Sequence, residues 1–324
     1  MGDIESSPGT VPEGGIVLKV LVIPDVHLKP WIFVRANEIM KTGMADKAVC
    51  LMDIPDDWDQ EFNLDLYDET FDAAVQFQKQ NQDTLWCYGN HDLSYVWNQP
   101  ESGFSPLALP TVNAGLRRLM EALPDLKQIA YVHRIDSVLF MHGGLTDKFV
   151  EFHAGDLLSY SGETLDGRGF DWNEGLAGEA SGETAEGTNN GSAVNESGMP
   201  AGSENASERS MAEASGKSMA KETGRNIEIY AEIDAVLERI NSLGGREIWE
   251  IGSPIWFRPQ VELEWMYRQD DCLQVVGHTP TTEILKERNF ISCDVFSTYH
   301  YGEPIGTQEF LLVDTKTWEY KGVK

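Results

Sequence analysis

The sequence predicts an α/β protein. Apolar β-branched runs alternate with stretches of helical periodicity, each early run ends on a cluster of polar residues, and no apolar run approaches the roughly 18 residues that span a bilayer. Ile16 to Pro24 reads as a buried strand, 31–43 as a helix and Lys47 to Met52 as a second strand. Leu64, Phe71, Val75 and Phe77 give 64–81 helical spacing, and Leu85 to Tyr88 supplies a third strand. Residues 112–123 form a further amphipathic helix, and Lys127 to Met141 divides into two strands around Arg134 to Asp136. Helical spacing resumes over 226–243 through Ile229, Ile233, Val236, Leu237 and Ile240, and Leu273–Val276, Phe290–Val295 and Glu309–Val313 close the strand list. This order suits a layered sandwich and a doubly wound sheet equally.

A chain of 324 residues with 41 % hydrophobic content can bury a large core. Residues 1–14 are a polar Gly, Pro and Ser tail, and about 173–225 are Gly, Ser, Ala, Glu and Asn with almost nothing to bury. Neither offsets its ordering entropy, so both are expected to be disordered, the second as an insertion interrupting one domain over 15–324. The acidic opening does not resemble a cationic signal peptide, and a cytoplasmic location is expected. The net charge of −28 opposes binding to nucleic acid or an anionic membrane. Cys50, Cys87, Cys272 and Cys293 sit in or beside apolar runs without a Cys-x-x-Cys pair, so buried reduced thiols are expected.

Chemistry concentrates at the strand ends. Asp25-Val-His27 follows the first strand, Asp53-Ile-Pro-Asp56 the second and Gly89-Asn-His-Asp92 the third; His142-Gly-Gly144 and Gly277-His278 end later strands. In α/β folds such positions face the ligand. Taken singly, each aspartate reads as a cap or turn residue and each histidine as a core residue. Four of the seven histidines, His27, His91, His142 and His278, nevertheless fall on these motifs. His133, His153 and His300 do not.

The five motifs, in this order, resemble the calcineurin-like metallophosphoesterase superfamily, most closely the bacterial and phage relatives of Ser/Thr protein phosphatases. That resemblance implies a four-layer sandwich of two mixed sheets with helices outside, and two divalent ions such as manganese, iron or zinc. It also implies hydrolysis of a phosphomonoester by a hydroxide held between the ions. Residue by residue, it assigns Asp25, His27 and Asp53 to one ion and Asn90, His142 and His278 to the other, with Asp53 shared. His91 would be the general acid, and Asp56 would hold its imidazole charged. The expected partner is a phosphorylated substrate, a phosphoprotein or a small phosphoester. Dinucleoside polyphosphate hydrolysis is the enzymatic alternative, and a catalytically degenerate scaffold is the alternative from another class.

Two positions depart from the pattern. Met52 stands where the second motif has glycine, which implies a local rearrangement of that loop. Asp57 stands where eukaryotic-type Ser/Thr phosphatases carry a phosphate-clamping arginine. Arg258, in a Trp256-Phe-Arg segment, is the expected substitute, with Tyr299 and His300 bordering the pocket. Trp97 and Trp172 are candidates for its rim, and Arg117 and Arg118 read as solvated face residues.

Overall fold

A computed structural model describes residues 18–158, 226–262 and 264–324; the tail at 1–14, the insertion at 173–225 and Trp172 lie outside the described residues. Apart from 226–229, the described residues fall into one compact unit. Among the described residues eleven strands form two mixed sheets. The first has the order β11-β10-β1-β2-β3-β4, in which β1 (Lys19–Ile23), β2 (Lys47–Cys50), β3 (Leu85–Cys87) and β4 (Ile129–Ala130) run parallel. On its other side β10 (Phe310–Asp314) and β11 (Tyr320–Val323) pair antiparallel. The second sheet has the order β5-β6-β7-β9-β8. Its strands are β5 (Val132–Ile135), β6 (Val138–Met141), β7 (Leu273–Val276), β8 (Leu285–Glu287) and β9 (Phe290–Ser292), with β6, β7 and β9 parallel.

The period of two along each strand builds the layers. Val20 and Val22 of β1, Val49 of β2 and Leu311 and Val313 of β10 meet Val138, Phe140, Leu273, Val275 and Ile291 in a core between the sheets. The alternate residues Leu21, Ile23, Ala48, Trp86, Phe310 and Leu312 face outward. There they pack on α1 (Trp31–Lys41), α2 (Leu64–Gln80) and α4 (Leu109–Ala122) through Ile32, Phe33, Phe71, Ala74, Val112 and Leu116. Each large side chain buried this way contributes about 1.5–3 kcal/mol. Three further helices complete the fold: α3 (Asn90–Val96), α5 (Asp147–Ala154) and α6 (226–241), with a single turn α7 (Gly245–Ile248). The Asn241 side chain of α6 seals the end of β5 by bonding the backbone of Tyr131 and Val132. No helix among the described residues is long and apolar enough to cross a membrane.

Several local expectations are corrected. Lys127–Met141 holds three strands rather than two: the chain leaves the first sheet after Ala130 and joins the second at Val132, and the hairpin turns at Asp136 with φ 51°, so Arg134 lies within β5. A change of sheet carries no signature in hydrophobic period. The strand expected over Phe290–Val295 ends at Ser292, where the chain bends into the site. Helix α4 starts at Leu109 because Pro110 suits the first turn. Helix α3 was not expected from the sequence; it places Asn90 and His91 in its first turn, with Gly89 as the N-cap residue.

Candidate active site

The loops after β1 and β2 are zipped together: Val26, His27 and Leu28 donate their N–H groups to Met52, Asp53 and Ile54 at 3.0, 2.8 and 3.0 Å. The buried Asp92 carboxylate finishes the loop by accepting the amides of Asp53 (2.9 Å), Ile54 (3.1 Å) and Gly89 (3.0 Å). Met52, fully buried, takes the left-handed φ of 55° that glycine adopts without strain. Packing against the helices thus holds a side chain where the motif usually has none. Gly89 and Gly277 are required for a different reason: a Cβ at either would lie 1.9 Å from a carboxylate oxygen, of Asp53 and Asp25 respectively.

At the carboxyl ends of the strands the acids and histidines converge. His142 Nδ1–H donates to Leu51 O at 3.0 Å, which aims Nε2 at Asp53 Oδ2 (3.1 Å), Asn90 Oδ1 (3.1 Å) and His278 Nδ1 (3.0 Å). His27 Nδ1–H donates to Asp56 O at 3.0 Å and turns Nε2 to within 4.0 Å of the same Asp53 oxygen. Two groups of donors therefore lie within 4.8 Å of one another, Asp25 with His27 and Asp53, and Asp53 with His142 and His278. Asp53 belongs to both.

The electrostatics are those of a cation site. Burial and the neighbouring Asp294 push the Asp25 carboxyl well above its usual range, and burial with the Asp53 charge pushes Asp92 up to about 7. Burial opposes ionisation of Asp53 as well, but His142 and His91 outweigh it and hold that carboxyl low. Burial would lower His142, yet Asp53 and Asp25 carry it up to about 10; burial pulls His27 down to about 4 and also depresses His278. Asp25 Oδ1 and His278 Nε2 are buried without a hydrogen-bond partner. Mixed oxygen and imidazole donors carrying unbalanced buried charge fit divalent transition-type ions.

Beside this cluster His91 Nδ1 lies 3.0 Å from Asp56 Oδ2, and the His91 N–H donates to Asp53 Oδ1 at 3.0 Å. Both groups open on a cavity of about 590 Å³ whose lining includes Arg258, Trp256, Asp294 and Thr298. The whole arrangement, two sheets delivering acids and histidines to one pocket, is that of a metallohydrolase. The model of the calcineurin-like phosphoesterase family matches residues 18–185, just over half of the chain, and the chain belongs to that family. It is a metal-dependent phosphoester hydrolase that acts on phosphorylated substrates with two divalent ions. No curated protein matches the chain.

Of the residues singled out in the sequence, Asp25, His27, Asp53, Asn90, His142 and His278 come together, as do Asp56 and His91. Arg258 reaches the cavity, with Nη1 bonded to His278 O and Thr279 Oγ1 at 3.1 Å each. Asp57 is paired with Lys29 at 2.8 Å. Tyr299 does not line the cavity and His300 borders a neighbouring groove instead; the loop after β9 contributes Asp294, Ser297 and Thr298. Trp97 packs on Trp249 at 5.8 Å, and the indole at the pocket is Trp256. Arg118 bonds Asp68 on α2. All four cysteines are free and buried. Sequence reading missed Asp92 as the loop's organiser, Lys29, and Asp294. A signal existed for Asp294, because it follows a strand end like every other motif.

Proposed function

We propose that the protein hydrolyses phosphomonoesters, with His91 donating the proton to the departing alkoxide and Asp56 orienting it. The observation that carries this reading is the His91–Asp56 contact of 3.0 Å standing in the same cavity as the acid and histidine cluster. Bound divalent ions would polarise the phosphoryl oxygens and lower the pKa of a water toward neutrality. Asp25, His27 and Asp53 would hold one ion, and Asp53, Asn90, His142 and His278 the other. Burial works against charge on His91, but the Asp53 charge and the Asp56 hydrogen bond raise it to about 9, so the imidazole carries its proton at neutral pH.

Arg258 takes the part of phosphate clamp, because it is the one Lys or Arg among the described residues lining the cavity. A single arginine in a cavity also lined by Asp57, Asp59 and Glu61 suits one phosphate better than a polyphosphate chain, whose several charges those acids repel. The substrate class favoured is therefore a phosphorylated Ser or Thr side chain in a protein. Arg258→Ala should raise KM for p-nitrophenyl phosphate about tenfold.

Metal analysis and an assay on p-nitrophenyl phosphate with manganese test the enzymatic reading; a protein that binds no metal and remains inert after reconstitution would be a scaffold. For His91, the variant His91→Ala should lose about 10²-fold or more on alkyl phosphates, whose leaving oxygen needs the proton, and far less on aryl phosphates. Equal losses on both remove His91 from the acid role.

A further inference from the structure

Asp56 is held by two phenols. Tyr67, in the first turn of α2, donates to Asp56 Oδ1 at 2.9 Å, and Tyr95 of α3 donates to the same oxygen at 2.5 Å. Oδ2 is left to His91 Nδ1. Both rings are buried, with 0 % and 1 % of their surface exposed. Burial first, and then the Asp56 charge, push both hydroxyls above the usual phenol range, so each remains an O–H donor. Phenylalanine would fill the same space without a hydroxyl to desolvate, so the polar ends of these rings ask for an explanation beyond packing.

The network continues outward. The Tyr95 oxygen accepts the Ser105 N–H at 2.8 Å, and Ser105 Oγ donates to Glu61 O at 2.6 Å. This ties the segment around Gly103, which lines the cavity, to the carboxylate. A Cβ at Gly103 would lie 3.2 Å from Asp56 Cβ and 3.8 Å from His91 Cε1, so the segment lies directly against both residues. Linked donors of this kind polarise one another, and the two hydrogen bonds accepted by Oδ1 oppose rotation of the Asp56 carboxylate.

We infer that Tyr67 and Tyr95 are positioning residues for proton delivery, fixing Asp56 so that His91 keeps Nδ1 on the carboxylate and presents Nε2 to the leaving group. The inference rests on the reading of His91 as proton donor. It predicts a specific pattern in Tyr67→Phe and Tyr95→Phe. Each should lower kcat on a phosphoserine peptide about tenfold with KM unchanged, while p-nitrophenyl phosphate turnover stays within about twofold. Adding either substitution to His91→Ala should cost nothing more on the peptide, because the phenols act through the imidazole.

Metal content and thermal unfolding of each variant accompany the kinetics. Equal losses on both substrates, or losses undiminished in the His91→Ala background, would reduce the tyrosines to structural residues and overturn the inference. The two readings can fail separately. No alkyl-versus-aryl difference in His91→Ala removes the proton donor itself, whereas that difference in His91→Ala but not in the tyrosine variants removes only the clamp. Should one of the two single variants fail to fold, the other, which still keeps one phenol donor on Asp56, decides the matter.

Discussion

The two sheets deliver their side chains to the site on different backbones. On the first-sheet side His27, Leu28, Met52, Asp53 and Asp56 all have positive φ, between 41° and 68°. On the second-sheet side His278, with φ 62°, is the only motif residue that does. A non-glycine residue in this region costs roughly 1–2 kcal/mol. Those costs are offset by the amides bonded to Asp92 and by the zipped β1 and β2 loops. Two histidines of the second sheet, His142 and His133 of β5, reach across on long side chains and are oriented by carbonyls on the first-sheet side: His142 bonds Leu51 O at 3.0 Å, and His133 bonds Trp86 O at 3.1 Å. The Asp53 carboxylate, common to both donor groups, is placed by a bent backbone, whereas the His142 imidazole is aimed by a hydrogen bond to its far nitrogen.

The most severe test of that contrast is Asp53→Asn. It keeps the shape of the side chain but removes the charge common to both donor groups; turnover should fall roughly 10³-fold, and metal stoichiometry by titration should drop. A variant that still held two ions tightly would show that the bent backbone is not there to place a shared carboxylate. Next comes Asp92→Ala, which leaves three buried amides of the strained loop unsatisfied. Urea unfolding should show a loss of about 3–5 kcal/mol, and a loss under 1 kcal/mol would mean that the loop holds its shape without this carboxylate.

The second sheet's device is tested by pH. Burial pushes His133 down to about 4, while in the unfolded chain it titrates near 6.5. A folded value below the unfolded one means that the unfolded chain takes up the proton first. The contribution is fully present above about pH 6.5 and is lost as pH falls toward 4, amounting to roughly 3 kcal/mol. His133→Asn should flatten this part of the stability profile between pH 7 and pH 4.5 relative to the unaltered protein, and parallel profiles would refute it. The smallest effect concerns strain away from the site. Arg288, exposed between β8 and β9, has φ 45°, and Arg288→Gly should add up to about 1 kcal/mol of stability. A loss instead would show that the left-handed residues of this protein are not strained.

Most of the strands, the longer helices and the side chains that could carry chemistry were legible in the sequence, whereas the short elements α3, α5, β8 and β11 were not. An apolar run that stops on Asp-x-His or Gly-Asn-His-Asp announces both a strand and what stands at its end, since periodicity and motif are local properties. The membership of each strand was not legible: Ala130 and Val132 belong to different sheets although one residue separates them. Nor was the setting of Asp56, because Tyr67 and Tyr95 look like ordinary helix-face residues until α2 and α3 bring both hydroxyls to one oxygen. The sequence by itself determined the donors, whose chemistry resides in single residues. Only the tertiary structure decided which of them stand close enough to share an ion, which nitrogen faces the cavity and what holds Asp56, because distances between residues remote in the chain exist only once the sheets have packed.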